Sequence, residues 1–305
     1  MELNGKRLKS IFIGLLVSKR HEKFMEEYLE MCKNFTYPSL SLNIIENTPH
    51  DRKYFQKLKK LCSKYDFIDN LIRYEWKPKE KLCFEMIADC KNILREKFLD
   101  GNYDLYFSLD ADTTIPPNSI EYLVEDNKDN VGFPTPITNF EPCVLKQGGG
   151  VKKNIIIRDI NGSTKLRDNG EPLTKSIWTL DLYSWYELIA MTKDDNSYLQ
   201  RVYAVCNGCL MSKRKVIKKV KWEVPRNFAI GEDIIWYENV NQKGFEFWVD
   251  MRTIPIHRPV GWEMIPTWIK SQNQKIYTIF GNLPDEIFEM NPSELKELIK
   301  SSIRA

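Results

Sequence analysis

Two aspartates one residue apart, Asp110 and Asp112, close the mostly apolar run 103–109 in "YDLYFSLDADTTIPPNSI". In an extended segment, residues i and i+2 face the same way, so both carboxylates can meet one point just past a strand end. Carboxylates this close repel each other unless a positive group joins them. A hard divalent cation, Mn²⁺ or Mg²⁺, fits, because it takes one or two protein carboxylates and fills its shell with water and phosphate oxygens. The plain alternative is a strand end running into an Asx-type turn before Pro116 and Pro117. Two further groups carry chemistry. "IGEDIIWYENV" sets Glu232 and Asp233 at a helix start, where acids also answer the helix dipole. "IPIHRP" ends a late strand on His257, a position where histidine is as often structural as functional. The chain has neither a P-loop nor a GxGxxG pattern, so a bound diphosphate would need its charge met by something else, such as a metal.

The elements that must position these residues alternate. Apolar strand patterns at 10–17, 40–47, 68–75 and 103–110 are separated by helical spacing at 21–35, 50–65 and 79–98. Strand–helix–strand repeated three times implies right-handed crossovers and a mainly parallel sheet flanked by helices. The rhythm breaks after "VGFPTPI". Residues 143–175 form a glycine- and charge-rich excursion with short β-rich pieces, read as a hairpin or loop. No helix follows Gly148–Gly150 directly, so they make a poor phosphate cradle. "YAVCNGCLMS" reads as a strand, "GEDIIWYENVNQKG" as a helix, "FEFWVDMRTIPIH" as strand-rich, and 291–303 as a terminal helix opened by Asn-Pro-Ser-Glu.

Composition bounds the partners. With 45 basic and 42 acidic residues among 305, the net charge of +3 gives no electrostatic case for nucleic acid. The densest basic run, "MSKRKVIKKVKW", reads as a solvated helix face, with an anionic-surface contact as the alternative. No stretch is apolar for long enough to span a membrane, and the N-terminal apolar run reads as a buried strand. Peripheral contact with a membrane stays open. Seven cysteines without framework spacing point to reduced thiols and a cytoplasmic setting. Cys206 and Cys209 form a lone CxxC, which is weak evidence for a metal or redox site.

Together, a strand ending in Asp-x-Asp, a later Glu-Asp at a helix start and a histidine after the next strand resemble the GT-A nucleotide-sugar glycosyltransferases, most nearly the family 2 type. "LNIIENTPHD", "KPKEK", "VCNGCLMSKRKV" and the Gly-aromatic strand after the Glu-Asp helix resemble further segments of that family, over about residues 8–260. The first loop, "LLVSKRHEKF", departs from it by lacking the usual proline and asparagine. The resemblance implies a GT-A domain over 1–260, with a donor half at about 8–137 and an acceptor half at about 138–260. A C-terminal helical extension follows over 261–305. It implies Mn²⁺ or Mg²⁺ held by Asp110, Asp112 and His257. Donor contacts would come from Val17, Glu46, Asn47, Lys79, Lys81, Asp110 and Ala111, and acceptor contacts from Trp178, Asn207 and Gly208. Asp233 would be the general base, with Glu232 beside it, in an inverting transfer from a nucleotide diphosphate sugar to a glycan or lipid-linked hydroxyl. A UDP-linked donor is slightly favoured over a GDP-linked one. Trp178, Trp185 and Tyr186 could form a sugar platform, although at helical spacing such aromatics are more often core.

Other classes compete. "DADTT" matches the nucleophile loop of haloacid-dehalogenase phosphatases, but there the motif ends the first strand, and here three strand–helix units precede it. A nucleotidyltransferase of similar architecture would usually carry a glycine-rich signature after strand one. A non-catalytic glycan-binding or scaffold protein would not need Asp110, Asp112, Glu232 and Asp233 intact.

Overall fold

The computed structural model describes residues 2–3, 6–77, 81, 83–136, 142–156, 174–224 and 232–257, with backbone alone for 2–3, 6–7, 148–156 and 174–180. The C-terminal helix expected at 291–303 lies outside the described residues, as does Lys79.

Four strands, β1 (Ile11–Val17), β2 (Leu40–Glu46), β3 (Ile68–Arg73) and β4 (Leu105–Leu109), pair in parallel in the order β3–β2–β1–β4. β4 is buried throughout and β1 is buried at all but Leu16. Parallel strands covered on both faces need such unbroken apolar runs. The crossovers are α1 (Met25–Lys33), α2 (Arg52–Cys62) and α3 (Cys83–Asp100). α1 buries Met25, Tyr28, Leu29 and Cys32, one stripe at i, i+3, i+4 and i+7. α2 starts where the Asp51 carboxylate accepts the Lys53 and Tyr54 N–H groups. The helix expected from residue 21 begins only at Met25, after a tight 3₁₀ turn over Lys19–His21. There the Ser18 N–H donates to Nδ1 of the buried His21 at 3.0 Å, which folds the chain back before the helix can start.

Beyond β4 the order is β5 (Thr113–Thr114), α4 (Ser119–Asp126), β6 (Asn130–Gly132), β7 (Val144–Ile156), β8 (Thr174–Leu182), α5 (Trp185–Asp194), β9 (Leu199–Val202), β10 (Ala204–Val205), β11 (Cys209–Lys213), α6 (Arg214–Lys219), α7 (Glu232–Gln242), β12 (Phe247–Asp250) and β13 (Ile256–His257). The central sheet has eight strands in the order β9–β12–β6–β11–β4–β1–β2–β3. β11 runs against both β4 and β6, and β9 against β12, while the other six strands share one direction. The excursion is an antiparallel β7–β8 ribbon, extended into a second sheet by β10.

"YAVCNGCLMS" is not one strand. β10 joins the second sheet, Cys206–Gly208 turns, and β11 enters the central sheet. The Cys209 N–H closes that turn on the Cys206 carbonyl at 3.3 Å. The basic run contributes the short α6, which buries Val216 and Ile217. Core side chains lie on both faces of the sheet, Phe12, Phe98, Tyr106, Trp236 and Phe247 on one, and Ile11, Ile13, Leu29, Leu42 and Phe107 on the other. Among the described residues, no helix is long and apolar enough to cross a membrane.

Candidate active site

Asp110 sits where β4 leaves the sheet, and its backbone is held on both sides. Its N–H donates to the Gly208 carbonyl at 2.9 Å, and its carbonyl accepts the Thr113 N–H at 3.0 Å. Residues 110–113 therefore turn. Asp110 and Asp112 do not converge through strand alternation as the sequence suggests, because the backbone is no longer extended there. Gly208 leaves room at this approach: a Cβ there would lie 2.5 Å from Asp110 Oδ2. Next along the chain, β5 pairs with β13, setting His257 opposite Thr113. His257 Nδ1 lies 2.9 Å from the Pro136 carbonyl, and Nε2 lies 3.6 Å from Asp112 Oδ1. A neutral imidazole in that pose carries its proton on Nδ1 and turns a lone pair toward Asp112.

Burial, and then the charge of Asp112, push the Asp110 carboxyl up to about 6, with Lys91 acting in the other direction. The turn is short of positive charge. Among the described residues, no cluster of three His, Cys, Asp or Glu groups can hold an ion alone. What is present suits a cation that takes few protein ligands and completes its shell with phosphate oxygens: two carboxylates that repel, and an imidazole nitrogen with its tautomer set from behind.

α7 brings in Glu232 and Asp233. Both bind one ammonium, that of Lys91 on α3: Nζ lies 2.8 Å from Glu232 Oε1 and is hydrogen-bonded to Asp233 Oδ1. Asn207 Nδ2 donates to the same Asp233 oxygen at 3.0 Å. The two acids were expected to diverge around the helix, but the long lysine reaches both. They differ in exposure, since the Glu232 side chain is 7% exposed and that of Asp233 34%. They also differ in charge. Burial pushes Glu232 up to about 7. Burial acts on Asp233 in the same sense, but Lys91 and the Asn207 hydrogen bond outweigh it and hold that carboxylate below its ordinary range.

The remaining marked residues fall into three groups. Val17, Asn47 and Ala111 are buried along the same sheet edge as the aspartates. Asn47 is tied by its N–H to the Val17 carbonyl at 2.9 Å, and its carbonyl accepts Trp76 Nε1 at 2.7 Å. Glu46 is fully buried and its carboxylate is already engaged, by Arg73 Nη1 at 2.5 Å and the Thr48 N–H at 2.8 Å. Lys81 is held by Asp89 and Tyr74. Trp178 lies on β8, opposite Lys152, and its side chain is outside the described residues. Of the other aromatics marked for a platform, Trp185 is buried in the core and Tyr186 is 54% exposed. Cys206 and Cys209 do not act as a pair either. Cys209 is buried in β11, and the Cys206 thiol hydrogen-bonds to Cys143 across the β10–β7 ladder.

Three participants escaped the sequence reading. Arg73 neutralises Glu46, and His21 is a buried imidazole pushed down to about 4 by burial and the Arg20 cation, with Asp112 near enough to act against that. Lys91 is the third. Its signal was present: Lys91 falls on the stripe formed by Ala88, Leu94 and Phe98, where a lysine is out of place unless something pairs it.

No protein-family model and no curated protein matches the sequence. Solved structures do match the fold. S. aureus TarS 1–349 superposes with a TM-score of 0.50 at 8% identity, covering 96% of this chain and 70% of that one. GalNAc-T7, solved with UDP, GalNAc and Mn²⁺, gives a TM-score of 0.54 at 12% identity, covering 97% of this chain and 55% of that one. At such identities the likeness concerns the backbone alone: a mainly parallel sheet with helices on both faces. The chain has the GT-A fold.

Proposed function

We propose that this protein is a metal-dependent glycosyltransferase, moving a sugar from a nucleotide diphosphate donor to an acceptor hydroxyl with inversion. One observation carries the reading. On a GT-A sheet, the Asp110–Asp112–His257 group and the Lys91-bound Glu232–Asp233 pair gather around the single turn Cys206–Gly208, Gly208 touching Asp110 and Asn207 touching Asp233. Asp110, Asp112 and His257 would hold Mn²⁺ or Mg²⁺, which would supply positive charge against a leaving diphosphate. Asp233 is the better base, being the more exposed and the charged member of its pair. A carboxylate held below its ordinary range is weakly basic. That suffices when the proton leaves late, as the acceptor hydroxyl acidifies during bond formation. Glu232, sealed behind it, anchors the helix start. UDP is the first nucleotide to test, because the GalNAc-T7 structure contains it. The acceptor class is a glycan or lipid-linked hydroxyl, and a cytoplasmic setting accords with seven unbridged cysteines.

A melting panel with UDP, GDP and vanadate, each with and without Mn²⁺, tests the reading. A nucleotide diphosphate with Mn²⁺ should raise the melting temperature more than either alone, and Asp112→Asn should erase that gain. Asp233→Asn should abolish transfer while leaving nucleotide and Mn²⁺ affinity within a few-fold. A response to vanadate plus metal instead would indicate a phosphatase, and no response at all a scaffold.

A further inference from the structure

The most unusual group near the site is an ammonium deep in the protein. The Lys91 side chain is 8% exposed and shares its stripe of α3 with Ala88, Leu94 and Phe98. Burying a lysine costs several kcal/mol unless it is well paired, and an apolar residue of similar length would fill the same space. Packing therefore does not explain it. Its contacts have a pattern that does. Nζ bridges the two acids of α7, and its bond to Asp233 falls on Oδ1, the same oxygen that Asn207 Nδ2 holds from the β10–β11 turn. A carboxylate gripped at one oxygen from two separate elements cannot rotate freely, so its other oxygen has a fixed direction.

We infer that Lys91 is the positioning residue of the reaction, clamping Asp233 together with Asn207. The inference rests on the proposed role of Asp233 as base. Lys91 itself touches no substrate: α3 supplies the cation, the turn supplies the amide, and α7 supplies the group they hold. Other titratable groups face this pair: Glu232 and Tyr237 on α7, Asp110 at the end of β4, Tyr106 on β4 and the Cys143–Cys206 thiols under the turn. Against these acids, phenols and thiols, Lys91 supplies the positive charge.

The test has an arm that needs no turnover. Carboxyl ¹³C NMR of the free protein, with the Asp233 resonance identified by its loss in Asp233→Asn, gives the titration of that one group. Lys91→Met should move its midpoint up by more than about one pH unit, and Lys91→Arg should move it much less. In the second arm, release of UDP from UDP-GlcNAc and UDP-GalNAc is followed with Mn²⁺. Lys91→Met should lower kcat by about a hundredfold or more while donor KM stays within a few-fold, and Lys91→Arg should recover much of the loss. Lys91→Met/Glu232→Gln removes one stranded carboxylate, so it should regain melting temperature without regaining kcat. An unmoved Asp233 titration overturns the inference, as does a kcat restored along with stability by the second substitution. Full transfer by Asp233→Asn would instead remove the base reading, leaving the NMR arm to decide the clamp alone.

Discussion

Gly208 is the residue on which both halves of the site depend. Its carbonyl accepts the Asp110 N–H, and its missing side chain leaves room for the Asp110 carboxylate. A methyl group there would sit 2.5 Å from Oδ2, so either the carboxylate or the turn must give way. Gly208→Ala is expected to fold, because the clash is with the end of one side chain. It should also lose the Mn²⁺-dependent part of the thermal shift, with apparent metal affinity falling by about tenfold or more. Calorimetry with Mn²⁺ and UDP checks this, and unchanged affinity would mean that Asp110 is not where the ion binds. At this scale the sequence is informative when a residue's type is odd for its place. Paired aspartates at a strand end and a Glu-Asp helix start stand out. A lysine on a helix full of charged residues does not, until its neighbours along the stripe are compared.

At the scale of elements, the sheet carries a second buried charge cluster at the ends of α4 and β12. Arg252 ties the end of α4 to the end of β12, binding Asp126 Oδ1 at 2.7 Å and Asp250 Oδ2 at 2.8 Å. Burial and then the charge of Asp250 push Asp126 up to about 7, against the pull of Arg252. A carboxyl raised in the fold binds its proton more tightly folded than unfolded. Between about pH 4 and about pH 7 the folded state therefore holds more protons, and stability falls as pH rises through that window. Asp126→Asn keeps an acceptor for Arg252 and removes the titration. Its melting temperature relative to the parent should climb by a few degrees between about pH 4.5 and about pH 8, and a flat difference would refute the account. The first four strands and the three helices between them were legible because their apolar spacing is written in the local sequence. The β5–β13 ladder and the division of β10 from β11 were not. Two-residue strands have no periodicity, and each is defined by a partner far away in the chain.

For the molecule as a whole, the donor and acceptor halves suggested by the sequence share one sheet. β6, from the first half, is inserted between β11 and β12 from the second, and β11 covers the open edge of β4. A fragment ending at residue 136 would expose that edge together with the apolar side chains of Phe107 and Tyr106. It should be insoluble alone, and co-expression with the remainder should rescue it. A soluble, cooperatively melting fragment would contradict this.

The β5–β13 pair also sets an order in time. Ribosomal synthesis runs from the N-terminus, and Ile256 and His257 are the last described residues to emerge. The eight central strands are all complete by Asp250. A nascent chain can thus build its sheet, bury its core and place Asp110 and Asp112 while the histidine that faces them is still in the exit tunnel. The imidazole meets Asp112 only when synthesis of this region is over, so a chain stopped before Ile256 would keep its eight-stranded sheet and lack that contact.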